Sequence, residues 1–337
     1  MSGGPIIRTE QLERHFGEVE ALKGIDLEVD TGSVRGLLGP NGAGKTTCIR
    51  ILTTLLLPSA GRAEVDGLDV VKDAEELRYR IGLAGQSAAV DENLTGLENL
   101  EMVGRLYGLP KAEARKRSGE ILERFGLSDA TDRQAKTYSG GMRRRLDVAS
   151  SLVGRPDILF LDEPTTGLDP RSRVDVWAFV RELQSDGTTI LLTTQYLEEA
   201  DQLADQITVV DVGKIIAEGT SDQLKDQIGG EVLELIVEDL AQTWAAAEAL
   251  QGIGTGAPNV DVDEGRIRLP VGNEGAEALR DSSGRLDEQK IKLAGFAVHR
   301  PTLDDVFMAL TGHAAEDGSD QPEQPEKRGR RGRKEKA

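Results

Sequence analysis

Val34-Arg-Gly-Leu-Leu38, then Gly39-Pro40-Asn41-Gly42-Ala43-Gly44-Lys45-Thr46, then Thr47-Cys-Ile-Arg-Ile-Leu52 read as a strand, a glycine loop and a helix. The loop fits G-x-x-x-x-G-K-[ST], and strand, loop, helix is the context that this pattern requires. Glycines let backbone N–H groups approach phosphate oxygens, and the helix N-terminus adds a positive dipole. Lys45 is expected to span the β- and γ-phosphates of a nucleotide, and Thr46 to ligate Mg2+. The helix is expected to run from Thr46 to Leu57 and to stop at Pro58. Cys48, one turn in, reads as a small buried hydrophobe.

Such a site needs a second Mg2+ ligand at the end of a buried strand. Ile158-Leu-Phe-Leu161 is that strand, and Asp162 and Glu163 follow it. Asp162 at the tip is expected to reach the Mg2+ shell. Glu163, one residue on, is expected to point to the other side and to orient or deprotonate the attacking water. Two adjacent carboxylates at a strand end are costly without a cation, which favours a site over a solvated loop.

Around these motifs the chain alternates short apolar runs with helical stretches up to about residue 228, an α/β rhythm. Within it, residues 87–152 read as mostly helical, with Leu94, Leu97, Leu100, Val103 and Leu106 forming an apolar stripe destined for the core. Residues 229–312 read as a small second α+β unit. Glu231–Glu238 and Arg266–Val271 are its strands and Leu240–Leu250 is an Ala-rich helix. A last helix, Leu303–Thr311, is capped by Thr302 with Asp305 in the box position and ended by Gly312. Residues 313–337 cannot bury apolar surface and are expected to be disordered.

The 337 residues carry 41 bases and 59 acids, a net charge of −18. Residues 327–337 hold seven bases and one acid, so the rest sums to −24. An acidic body repels phosphate backbones, so no specific nucleic-acid partner is expected. One cysteine excludes an internal disulfide and a cysteine-based zinc site. No apolar run approaches the ~18 residues of a membrane span.

Further motifs narrow the class. Tyr138-Ser139-Gly140-Gly141-Met142 precedes the Asp162 strand. It resembles the signature of ATP-binding cassette (ABC) ATPases. Gln86 resembles that family's Q-loop, Gly167-Leu168-Asp169 its D-loop, and Phe16 the aromatic position on which adenine stacks. Gly85 to Thr95, Tyr138 to Arg145, Thr193 to Asp201 and Pro301 to Gly312 are similar to drug-exporter subunits of the daunorubicin-resistance type. The resemblance spans residues from about 6 to 312. It implies a P-loop ABC fold with an inserted helical subdomain and a small accessory domain. It places nucleotide contacts at Phe16, Gly39, Pro40, Asn41, Gly42, Ala43, Gly44, Lys45, Thr46, Thr47, Gln86, Ser139, Gly140, Gly141 and Asp162. Mg2+ falls to Thr46, Gln86 and Asp162, and catalysis to Glu163, Lys45 and Gln195. Two residues depart from the pattern: Met142 stands where Gln is usual, and Gln195 where most members have His. A Gln amide donates to a γ-phosphate oxygen but carries no positive charge.

Ser139 and its glycines read as the start of a helix that holds a γ-phosphate. In the family this phosphate belongs to the opposite subunit. One set of motifs per chain therefore implies a homodimer that sandwiches ATP. The resemblance also implies a separate membrane permease, docked near Ser87–Leu100, and a peripheral position on the cytoplasmic face of the membrane. Export of a hydrophobic drug is the expected work. Export of polysaccharide or lipid, or a soluble ATPase role, is the alternative. The basic tail is expected to be a solvated charge run, with anionic lipid as the sharper reading.

Overall fold

The computed structural model describes residues 4–86, 89–227 and 230–311. The basic tail, Gly312 and His313 lie outside the described residues, as do Ser87 and Ala88 of the expected coupling stretch.

The nucleotide-binding part rests on a six-stranded sheet. Its order is Lys214–Gly219, Gln206–Asp211, Val34–Leu38, Thr189–Thr194, Ile158–Asp162, Ile81–Ala84. Every neighbouring pair is parallel except the first. Parallel strands are buried on both faces, and Ile158–Asp162 obeys this with all five residues buried. Side chains alternate between faces along a strand. Ile158 and Phe160 join one core, which also contains Ile49, Ile51 and Leu52 of the loop helix. Leu159 and Leu161 join a second core, shared with the inserted helices.

An antiparallel sheet built on Ile7–Phe16, Val19–Ile25 and Ala60–Val65 closes the first core from the other side. The glycine-loop helix is thus held between two sheets. Full burial of Ile51 and Leu52 contributes about 1.5–3 kcal/mol each. This helix runs only from Lys45 to Leu52, not to Leu57. Thr53 caps it and Thr54 turns left-handed with φ 63°, so the chain leaves the helix before Pro58. Leu55 and Leu57 are consequently exposed.

Helices Gly96–Leu106, Lys111–Arg124 and Gly140–Ser151 are inserted between Ile81–Ala84 and Ile158–Asp162. Leu97 and Leu100 are buried as expected, but Leu106 is 74% exposed. A strict spacing of three drifts about 60° per step on a helix of 3.6 residues per turn. Nine residues after Leu97, Leu106 has come round to the opposite face. Gly104 takes the buried position, where an added Cβ would meet Val153 Cγ1 at 3.0 Å.

Residues 230–311 contain a four-stranded antiparallel sheet ordered Asn259–Asp261, Arg266–Gly272, Glu231–Val237, Leu293–His299. Sequence reading missed the last strand and the helix Gly275–Glu288. The Ala-rich helix is Thr243–Ala249, entered through a 3-10 turn at Leu240–Gln242. Leu303, Val306 and Phe307 of the final helix do not pack into this sheet's core. They pack with Leu38, Leu197, Ala200 and Leu224 of the nucleotide-binding part. Thr302 caps that helix as expected, with Thr302 and Asp305 bonding reciprocally.

Candidate active site

The ends of four adjacent parallel strands deliver the motif residues to one edge of the sheet, the place where open α/β sheets bind ligands. Val34–Leu38 leads into the glycine loop, Ile81–Ala84 into Gln86, Ile158–Asp162 into Glu163, and Thr189–Thr194 into Gln195. Hydrogen bonds fix the ends to one another. Gly39 N–H donates to Thr194 O at 3.3 Å and Glu163 N–H to Thr193 O at 3.1 Å.

Gly44 stands at the N-cap of the loop helix with φ 107°, a left-handed conformation in which a side chain is strained. A Cβ there would meet Ala21 O at 2.5 Å, so glycine is required twice over. A cavity of about 130 Å3 is lined by Ala21, residues 41–47, Gln86 and Glu163. Two larger cavities, about 310 and 370 Å3, lie beside Arg124 and Phe125 and contain no glycine-loop residue, so size does not mark the chemistry.

Lys45, Asp162 and Glu163 are all buried. Lys45 Nζ donates to Gly39 O at 2.6 Å and Pro40 O at 3.0 Å, and lies 3.7 Å from Glu163 Oε1. Thr46 Oγ1 donates to Asp162 Oδ1 at 3.0 Å, and Thr193 Oγ1 donates to the same oxygen at 2.7 Å. Gln86 Nε2 lies 3.3 Å from Thr46 Oγ1. Glu163 does not point away as strand alternation requires. Its φ of 51° breaks the alternation and turns its carboxylate toward Lys45, into the same cavity that Thr46 lines. Thr166 Oγ1 donates to Glu163 Oε2 at 3.2 Å and steadies it.

Gln195 follows Thr194, whose carbonyl holds Gly39. Its Oε1 is buried with no hydrogen-bond partner. Phe16, by contrast, is not part of the cavity lining. It is 47% exposed at the tip of a hairpin, with the Arg14 guanidinium 4.6 Å above its ring. Cys48 is buried, and burial pushes its thiol up to about 12, which makes it unreactive.

Ser139 caps the helix Gly140–Ser151, its Oγ accepting from Met142 N–H at 3.2 Å. Gly140 has open space around it. A Cβ on Gly141 would meet Ser172 Oγ at 2.6 Å. Ser172 is held by Asp169, the N-cap of Pro170–Ser185, so the signature and the D-loop pack together.

The grouping offers hard oxygen donors: a hydroxyl (Thr46), a carboxylate (Asp162) and an amide (Gln86). That donor set suits Mg2+. Sequence reading missed the second support of Asp162, the buried Thr193. Only the strand register next to Ile158–Asp162 reveals it.

Comparison with known proteins agrees with this geometry. A family model described as ABC transporter matches residues 22–166. The chain is 52% identical over 313 residues to the daunorubicin resistance ATP-binding protein DrrA2 of Streptomyces coeruleorubidus, covering 93% of this chain and 97% of that one. It is 51% identical over 316 residues to the daunorubicin/doxorubicin resistance ATP-binding protein DrrA of Streptomyces peucetius, covering 93% and 94%. Among solved structures, it is similar to the dimeric post-hydrolysis state of the ATP-binding cassette MJ0796 bound to ADP and Pi. The TM-score is 0.59 at 26% identity, over 64% of this chain and 98% of that one.

Proposed function

The chain belongs to the ATP-binding subunits of ABC transporters, of the daunorubicin-resistance type, and from that premise we propose that it hydrolyses ATP to drive export of a hydrophobic drug through a separate permease. The observation that carries this reading is the convergence of Lys45, Thr46 and Glu163 on one cavity at the glycine loop, with Asp162 bonded to Thr46 behind it.

The chain's own groups divide the work. The loop N–H groups and Lys45 hold the phosphates and neutralise charge that builds in the transition state. Thr46, Asp162 and Gln86 would hold Mg2+, which supplies Lewis-acid charge stabilisation at the phosphates when bound. Glu163, fixed by Thr166, orients the attacking water and takes its proton. Gln195 donates its amide to a γ-phosphate oxygen. Ser139 and Gly141 meet the ATP of a second copy, so two chains form two sites. MJ0796, a cassette of similar fold, is dimeric in its post-hydrolysis state.

Among the described residues no helix is long and apolar enough to cross a membrane. In this reading the permease is a separate membrane-embedded subunit, and the chain works peripherally on the cytoplasmic face of the membrane. Asp91, Glu92 and Asn93, exposed just beyond Gln86, are the candidate docking surface. The basic tail would add affinity for anionic lipid.

Drug-sensitive cells expressing the chain with its permease test the reading. Resistance to daunorubicin should rise, and Lys45→Ala should remove the gain. Unchanged sensitivity with both proteins present in the membrane would refute export of daunorubicin. Charge reversal at Asp91 and Glu92 should spare ATP turnover by the chain and reduce permease pull-down.

A further inference from the structure

Arg144 is buried on the signature helix, and every one of its donors is used. Nε donates to Pro164 O at 2.8 Å. One terminal nitrogen donates to Asp162 O at 3.0 Å and Glu163 O at 3.1 Å. The other donates to Gly85 O and to Asp147 Oδ2, the latter at 3.0 Å. A guanidinium has five N–H donors, and here they meet four carbonyls and one carboxylate. Asp147 in turn accepts Ala89 N–H at 2.8 Å through Oδ1. The pair therefore grips the chain on both sides of Gln86, and also the three carbonyls at residues 162–164. Glu163, at the centre of that grip, is the residue whose left-handed φ turns its carboxylate toward Lys45.

A buried ion pair of this kind adds little net stability, because desolvation offsets the attraction. Burial is the dominant influence on both groups, pushing the Asp147 carboxyl up and the Arg144 guanidinium down. Stability alone does not explain a five-point clamp. Its placement does. Arg144 lies about 7.5 Å along the helix from Ser139, about one and a half turns. In the two-fold sandwich proposed above, on which this inference rests, Ser139 and Gly141 face the ATP bound by the partner, whereas Asp162 and Glu163 act on the ATP bound by their own chain. We propose that Arg144, braced by Asp147, is a positioning residue that transmits engagement of the partner's ATP to the catalytic carboxylates and Q-loop of its own chain. Closure at one site thereby sets the geometry of Glu163 at the other. Arg144 touches no nucleotide in this scheme and acts through the backbone it holds.

Mixed dimers isolate the effect. Two differently tagged full chains are co-purified through both tags, one with Glu163 intact and its partner carrying Glu163→Gln. Only the intact protomer hydrolyses ATP. Ser139→Ala in that protomer removes a contact to the partner's ATP, which is not the ATP being cleaved. Turnover should nevertheless fall about fivefold, because the loss travels through Arg144. Arg144→Lys in the same protomer keeps the charge but offers three donors on one atom in place of a fork. It should lower kcat about tenfold with KM for ATP within about threefold. In that background Ser139→Ala should cost less than about twofold more.

Full turnover after Ser139→Ala in the mixed dimer, or the same fold-loss with and without Arg144, overturns the inference. So does a wild-type kcat for Arg144→Lys. Where Arg144→Lys melts early, the near-isosteric Asp147→Asn, which loosens the brace without emptying the site, carries the same cycle with the same criteria. If no mixed dimer is captured with ATP, the sandwich reading has failed instead, an outcome distinct from the failure of the transmission step.

Discussion

The two helix N-termini that the proposed function offers to phosphate are built in opposite ways. At Lys45–Leu52 the charge is internal: a buried Lys45 ammonium, a buried Asp162 and a buried Glu163, interlocked with loop carbonyls and hydroxyls. At Gly140–Ser151 the cap is a neutral serine and Gly140 stands in open space. The buried charge of this second helix sits more than a turn deeper, on Arg144, while Arg143 beside it is partly exposed and pairs with Glu92. The first is a complete half-site that orders its own chemistry. The second presents Ser139 and Gly140 at a surface, with the Met142 N–H taken by Ser139 Oγ, which suits contact with a phosphate already held elsewhere. On the proposed sandwich, the difference is what lets one chain supply both halves of a site that two copies complete together.

The sharpest way to break this asymmetry is Glu163→Gln. The water-orienting carboxylate is lost while Lys45 and the loop remain, so kcat should fall by at least a hundredfold with ATP binding intact. The variant should run as an ATP-bound dimer on size exclusion. Turnover within twofold of the parent would remove Glu163 from catalysis. At the other terminus, Gly141→Ala pushes a methyl to within 2.6 Å of Ser172 Oγ. That variant should bind ATP as a monomer with parental affinity yet lose most ATP-dependent dimerisation and roughly fiftyfold in kcat. A loss of monomer binding would place Gly141 in its own chain's site and collapse the distinction.

Gln195 follows Thr194, whose carbonyl accepts the Gly39 N–H of the first terminus, although its own side chain is not among the residues lining the cavity. Gln195→Ala should cost about ten- to a hundredfold in turnover by loss of one phosphate donor. Gln195→His should keep or raise activity and introduce a pH dependence near neutrality, since His titrates there. An Ala variant with parental kcat would make Gln195 a spectator.

Much of the first terminus was legible because its logic is local. Gly39 to Thr46 are consecutive, and the strand before them is plainly apolar. What escaped was the conformation of single residues. Strand alternation sent Glu163 to the wrong side, because only the folded chain reveals its positive φ. The same limit made the expected loop helix too long, because Thr54 turns left-handed within a run of apolar residues that still reads as helical. Phe16 was placed by resemblance, and its exposed ring shows no contact with the cavity. The second terminus was legible at Ser139 but not at Arg144. A run of three arginines, Arg143 to Arg145, looks like a solvated face. Nothing local separates the buried member from its neighbours, because its partners lie some twenty and sixty residues away. The C-terminal part was least legible. Leu293–His299 carries one polar residue and no strict alternation, and the attachment of Phe307 to Leu197 is a long-range fact.

The smallest expected effect concerns a buried carboxyl behind the strand end that leads to Gln195. Glu199 sits in the short helix after Gln195 and is fully buried. Its Oε1 accepts from Trp177 Nε1 at 3.2 Å, while Oε2 has no partner in the hydrogen-bond geometry. Burial pushes its carboxyl above the ordinary glutamate value of 4.5, against the pull of Thr194, Thr165, Trp177 and Arg173. A carboxyl with a raised folded pKa gives its full contribution below the unfolded value and loses it as pH rises through the folded one. Wild type should therefore lose stability relative to Glu199→Gln as pH climbs above 4.5, and the two should converge in more acidic solution. Gln is close to isosteric and keeps an acceptor for Trp177, so packing should survive. Thermal melts across pH 4–8 should show the Gln variant gaining a few degrees on wild type toward the alkaline end, on the order of 3 °C. A gap that is constant with pH would mean that Glu199 keeps one charge state throughout. A gap of opposite slope would mean that Arg173 outweighs burial, and that this strand end rests on a buried ion pair, as the second helix terminus rests on Arg144 and Asp147.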